Sequence, residues 1–120
     1  MAAAVELIPA RVLEVVDGDT LDVELRLGFG LLLHQRVRLL GLNCPERGTE
    51  AGGTAEAFTR DWVERAEGAV SVETDERREK YGRLLARVYS GSMTCLNDDL
   101  LTQGHAAPYD GAGPREGARK

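Results

Sequence analysis

The sequence predicts a mixed α/β (α+β) fold, a five-stranded β-barrel with two helices, and three observations predict it. Leu21, Val23, Leu25 and Leu27 alternate with Asp22, Glu24 and Arg26, the period of two expected of a strand with one face on a core. Ala55, Phe58, Trp62, Val63 and Ala66 recur at helical spacing, and this helix falls after the third strand. Two more strand-like runs, Ala69–Thr74 and Arg83–Tyr89, follow it, separated by a charged loop.

The first strand centres on Arg11–Val16, and Pro9, which has no N–H for a ladder, marks an edge or bulge. Asp17-Gly18-Asp19-Thr20 reads as a tight turn, because Asp-Gly is a strong hairpin signal. The alternating run from Leu21 is the second strand. Gly28-Phe29-Gly30 turns the chain, and Leu31–Leu42 returns as the third strand, so the two form a hairpin. Val37, Leu39, Leu40 and Leu42 read as core; Arg38 among them is costly to bury without a partner. The strand passes through Gly41 into Asn43-Cys44-Pro45-Glu46, where Pro45 stops it. Arg47–Thr54 reads as a loop, with Thr54 the N-cap of a helix over about residues 54–67 that Gly68 ends. Asp75–Tyr81 is a charged loop or hairpin, Tyr81-Gly82 a turn, and Ser90–Met93 another. A second helix runs from Thr94 or Cys95 to Gln103 and stops at Gly104. Tyr109 is expected to pack back, residues 1–110 to form one domain, and residues 111–120 to form a flexible tail. Five short strands with a helix between the third and fourth make the element order of an OB-fold barrel.

With 120 residues, 42% of them hydrophobic and 29% charged, the chain suffices for one small domain. No window approaches the ~18 apolar residues of a membrane helix, and the N-terminus has no basic region before an apolar run. The expectation is a cytoplasmic protein with no membrane partner. Cys44 and Cys95 have no metal-type spacing and read as reduced thiols. A net charge of −5 argues against a passive nucleic-acid binder, but an enzyme needs only a local basic patch. Arg77, Arg78, Lys80, Arg83 and Arg87 form one.

Three fragments carry chemistry: Asp17-Gly18-Asp19-Thr20, then Arg38 with Asn43-Cys44-Pro45-Glu46, then Lys80-Tyr81-Gly82-Arg83. Taken singly each has a plain reading. Asp17 and Asp19 form turns, Arg38 could face solvent beside Arg36, Glu46 is a loop acid, and Arg83 could pair with Glu73 or Glu79. Taken together, in this order on this fold, they resemble the staphylococcal nuclease-like (thermonuclease) family. Ala57-Phe58-Thr59, Val72-Glu73, Asn97 and Gln103-Gly104 fall where that family has similar residues.

The resemblance implies a calcium-dependent nuclease that cleaves DNA and RNA to 3′-phosphate ends. It implies that Asp19, Asn43 and Cys44 are at the metal, Cys44 through its backbone carbonyl. It implies Glu46 as general base or water-positioning residue, and Arg38 and Arg83 on the scissile phosphate. Lys80 and Tyr81 match the lining of the nucleotide site; Tyr109 lies one residue out of register with a tyrosine there. The chemistry asks for these types. The transition state gathers negative charge on the phosphoryl oxygens, which guanidinium forks and a divalent cation stabilise.

Asn43 departs from the family, which has a carboxylate there. Calcium affinity follows ligand charge, so a weaker metal site is expected. The alternative is a catalytically weak or inactive OB-fold nucleic-acid-binding module. The hairpin at Gly28–Gly30 is expected to be longer than in the staphylococcal enzyme, and no third helix is expected after Tyr109. Leu27–Leu33 is read either as an extension of the barrel core or as a self-association surface.

Overall fold

A computed structural model describes residues 6–109. The strands are β1 (Glu6–Asp17), β2 (Thr20–Gly28), β3 (Leu31–Leu39) and β4 (Leu42–Asn43), followed by helix α1 (Glu50–Arg65). Then come β5 (Ala69–Thr74), β6 (Leu84–Tyr89), helix α2 (Leu96–Thr102) and β7 (Ala107–Pro108). Five strands close a barrel in the order β1-β2-β3-β6-β5, and β4 pairs separately with β7. The α+β barrel with two helices is therefore present. The tail at 111–120 lies outside the described residues.

Alternation builds the barrel interior. Leu21, Val23 and Leu25 of β2 face Val37 and Leu39 of β3, Val70 and Val72 of β5, and Leu84, Ala86 and Val88 of β6, all buried. Closure comes from a short parallel contact, Val37–Leu39 beside Leu84–Ala86. β1 pairs with β5 at its start and β2 at its end, and two register shifts, at Val12/Glu14 and Val15/Asp17, let one long strand turn between them. Pro9 is not at a bulge. It pairs with Ser71 in regular register, and the β1–β2 ladder begins only at Ala10, so its missing N–H lies beyond that ladder.

Three further boundaries differ from the sequence reading. The third strand ends at Leu39 and does not run on to Leu42: Leu40 and Gly41 turn, with Gly41 at φ 87°, and Leu42–Asn43 forms β4. The first helix begins at Glu50, so Gly52 and Gly53 are helical and Thr49 is the N-cap, its hydroxyl accepting from Gly52 N at 3.0 Å. Thr54 instead donates back to the Glu50 carbonyl at 3.1 Å. Gly52 is there for close approach: an added Cβ would collide with the Glu46 carbonyl oxygen. Finally, Leu27–Leu33 does not extend the core. Leu27, Leu31, Leu32 and Leu33 are exposed and Phe29 reaches 102% exposure. Barrel burial stops at Leu25, because β1 covers β2 no further.

The helices cap one end. Ala55, Thr59 and Trp62 form the buried face of α1, and Trp62 Nε1 donates to Asp99 of α2 at 2.9 Å. Asn97 fixes α2 to the barrel, donating to Leu40 O at 2.9 Å and accepting from Val88 N at 3.1 Å. Cys44 and Cys95 are free thiols, both buried. No helix among the described residues is long and apolar enough to cross a membrane.

Candidate active site

The β1–β2 turn is the centre of the site. Gly18 packs so tightly that a Cβ would meet Cys44 Sγ at 2.9 Å and Ala55 Cβ at 3.0 Å. Thr59 of α1 donates to Gly18 O at 2.8 Å, locking helix to turn. Asp19 is thereby held inside, 2% exposed, where an unpaired carboxylate would be very costly. Its Oδ2 accepts from Cys44 N and from Arg38 Nη1, both at 2.8 Å, and Thr20 Oγ1 donates to Oδ1 at 3.3 Å.

Arg38 sits on β3 directly opposite Thr20, at 7% exposure. It is not a solvent residue sharing a face with Arg36, which pairs with Asp22 at 2.8 Å outside the barrel. The Arg38 guanidinium bonds Asp19 through Nη1, and its Nη2 donates to Asn43 Oδ1. Asn43 is fully buried on β4, and its Nδ2 has no acceptor. One buried cation is thus matched by one buried anion and one amide oxygen. Breaking such a pair from one side costs ~3–5 kcal/mol.

Asp17 lies beside Asp19, and Asp19 N donates to Asp17 Oδ1 at 3.2 Å. Burial, then the hydrogen bond and charge of Asp19, push the Asp17 carboxyl up to about 6.

Arg83 stands just before β6, the strand beside β3. Its Nη2 bonds Glu79 at 2.9 Å, and Glu79 Oε1 also accepts from Tyr81 N and Arg83 N at 3.0 and 2.9 Å. The Glu79 hydrogen bond raises the Arg83 pKa most; the charges of Asp19 and Asp17 raise it further, so Arg83 lies within electrostatic reach of the turn. Arg83 Nε is buried with no acceptor. Tyr81 is exposed, with Lys80 Nζ 5.2 Å and Arg83 Cζ 5.6 Å from its ring centre.

Glu46 is exposed two residues after Cys44, so the two Cα atoms are at most about 7 Å apart. Its carbonyl accepts from Thr49 Oγ1 at 2.6 Å, tying it to the start of α1. Tyr109 is half-buried and donates its N–H to Gly41 O at 2.9 Å, which holds it beside β4. The structure thus gathers Asp19, Arg38, Asn43 and Cys44 directly, adds Arg83 with Lys80 and Tyr81 from the β6 side, and sets Glu46 at the rim. His34 pairs with Glu24 and His105 packs on Phe58, both outside this group.

In the sequence Glu79 is one of two acids, with Glu73, that could pair with Arg83; the structure selects Glu79 and makes it the organiser of the Lys80–Arg83 loop. Its signal was present: an acid four residues before an arginine. Gly52-Gly53 favours a loop over a helix by local preference, and the Thr49 cap with the close approach of Glu46 places both glycines in α1.

Among the described residues no three His, Cys, Asp or Glu side chains gather around a metal position. The donors at hand are the Asp19 carboxylate, the Asn43 amide oxygen and the Cys44 carbonyl. All are hard oxygens of the kind calcium takes, and the first two already converge on a cationic group. The set fits calcium in donor type and is short of charge by one carboxylate.

The sequence model of the staphylococcal nuclease homologue family matches residues 36–120. The chain belongs to this family. The matched part of this nuclease homologue holds Arg38, Asn43, Cys44, Glu46, Lys80, Tyr81, Arg83 and Tyr109, while Asp19 precedes it. Two relatives named "Uncharacterized endonuclease", from Escherichia coli O157:H7 and Escherichia coli, are each 29% identical over 103 residues. Those matches cover 86% of this chain and 62% of each relative, so the chain spans less than two thirds of their length. A "Micrococcal nuclease" of Shigella flexneri is 33% identical, over 91% of this chain and 68% of the relative.

Proposed function

We propose that this nuclease homologue is a calcium-dependent phosphodiesterase that hydrolyses single-stranded or open DNA and RNA, leaving 3′-phosphate ends. One observation carries the reading. Arg83 Nε is a buried guanidinium donor without an acceptor, in the field of the Asp19 turn and just before β6, the strand next to that of Arg38. Such a donor is costly unless something completes it, and a phosphoryl oxygen is a matched acceptor. Family membership and the nuclease names of the relatives support the same substrate class.

Each residue has a task in this reaction. Arg38, oriented by Asp19 and Asn43, and Arg83, oriented by Glu79, take up the charge that grows on the phosphoryl oxygens. Both remain protonated throughout, as lysine would not be guaranteed to. Glu46 at the rim accepts a proton from the attacking water as its oxygen bonds to phosphorus, the bond from phosphorus to the 5′ oxygen breaks, and the leaving 5′ oxygen takes a proton from solvent water to become a hydroxyl. Lys80 and Tyr81 contact the neighbouring nucleotide by charge and stacking. Calcium, held by Asp19, Asn43 and the Cys44 carbonyl, would add positive charge at the same phosphate when bound.

The test is cleavage of denatured DNA with calcium, with and without chelator, beside Glu46→Ala and Arg38→Ala. Expected are 3′-phosphate products, loss of cleavage in chelator, and a fall of roughly 100-fold or more in each folded variant. A binding module without turnover is the second reading, favoured by the Asn43 oxygen being bonded to Arg38. It predicts retention of DNA with no cleavage at any calcium concentration, which would overturn the enzyme.

A further inference from the structure

The β2–β3 hairpin overhangs the barrel. β1 covers β2 only as far as Leu25, and β6 covers β3 only at Val37–Leu39. Among the described residues no strand pairs with the outer side of Leu31–Arg36. That leaves a run of backbone donors and acceptors on a strand edge. On this edge stand Leu31, Leu32 and Leu33, with Leu27 and Phe29 at the tip, all exposed. Proteins usually protect such an edge with lysine, proline or a short strand, and Leu31-Leu32-Leu33 has none of these. A two-stranded ribbon alone is marginally stable in water, so this one gains from being covered.

The chemistry of the occupant follows from the edge. On the β3 edge itself the charges are matched by β2: Arg36 pairs with Asp22 at 2.8 Å, and His34 lies 3.3 Å from Glu24; the overhang's remaining charge, Arg26, is exposed on β2. A polyanion therefore finds little to bind, and an uncharged extended strand finds both backbone partners and apolar contacts. The chain itself carries such a strand. Two copies of β3, set antiparallel about a two-fold axis, present the same unpaired residues to each other with no like-charge clash. The five apolar residues together expose roughly 500 Å², divided between the two faces of the ribbon because successive strand residues alternate. Even if all of it were buried, this stays below the ~800 Å² per partner of a standard interface, in the range of a weak association.

We infer that the Leu31–Arg36 edge is a homodimer interface, in which β3 of two copies joins their barrels into one continuous sheet. It does not depend on the nuclease reading. The test is sedimentation equilibrium of the full chain up to about 100 µM, well above a micromolar dissociation constant. Wild type is expected to be a dimer. Leu33→Lys and Leu32→Lys replace exposed side chains, so both variants are expected to keep the wild-type circular dichroism while dissociating at least tenfold more readily. Phe29→Ser, at the tip, supports the same result should either lysine variant misfold. A monomeric wild type, or a dimer unchanged in the folded variants, overturns the inference. So does a monomer that floats with phosphatidylcholine vesicles and loses this with Phe29→Ser, which would make the hairpin a membrane contact.

Discussion

Glu79→Gln separates the charge of Glu79 from its shape. The Glu79 carboxyl is held down at about 2, from an ordinary 4.5, first by its hydrogen bond to the Arg83 side chain and then by the N–H of Arg83, the Arg83 charge and the N–H of Tyr81; partial burial opposes this. Taken whole, that fall corresponds to roughly 3 kcal/mol. Water reaches the pair, with 27% and 17% of the two side chains exposed, so screening reduces it. A loss of about 1–2 kcal/mol at neutral pH is expected, or roughly 5–10 °C in melting temperature. The sign is set by the lowered pKa. The contribution is whole above about 4.5 and is lost as pH falls toward about 2, where both states are protonated. Thermal melts of wild type and variant between pH 7 and pH 3 check it: the gap should narrow steadily below about pH 5. A gap that does not change with pH, or none at pH 7, would refute the assignment of Glu79 as the ionised anchor of Arg83. The same variant should lower the cleavage rate by roughly tenfold, since Arg83 loses the partner that aims it.

Three further outcomes are expected. Asn43→Asp restores the missing charge and should bind calcium more tightly by calorimetric titration; equal affinities would mean that position 43 does not touch the ion. Gly52→Ala should destabilise the fold by about 2 kcal/mol or more in urea melts, because its Cβ collides with the Glu46 carbonyl, and an unchanged midpoint would contradict that packing. The Asp17 carboxyl is raised to about 6, so stability should decline as pH rises from about 4 through 6, and Asp17→Asn should flatten that decline; a wild-type profile level over this window would argue against the Asp17–Asp19 contact.

Much of the fold was legible because it rests on local patterns. The β2 alternation marks Leu21, Val23 and Leu25 as core, and β5 has the bounds expected for it, Ala69–Thr74. The Asp-Gly turn was also placed correctly, though for a partly different reason: Gly18 is needed for its contact with Cys44 and Ala55 and does not adopt a positive φ. Boundaries shifted where a distant contact overrode local preference. Gly52 belongs to a helix because Glu46 packs against it, and β3 breaks at Leu40 because β4 turns away to pair with β7.

The sequence by itself determined which residues alternate, which repeat at helical spacing, and which acids and arginines stand in the three motifs. Those are properties of neighbours in the chain, and side-chain chemistry is enough to read them. Only the tertiary structure decided what meets what. Arg38 is 19 residues from Asp19, and pairing them in a buried position at the β1–β2 turn, on the face of β3 opposite the barrel interior, turns a costly guanidinium into a matched one. Leu33 has the same apolar character as Leu25, yet one is bare and the other buried, because strand coverage depends on where β1 and β6 end. Alternation says which face of a strand turns inward, but where along the strand that face is covered is a property of the whole barrel.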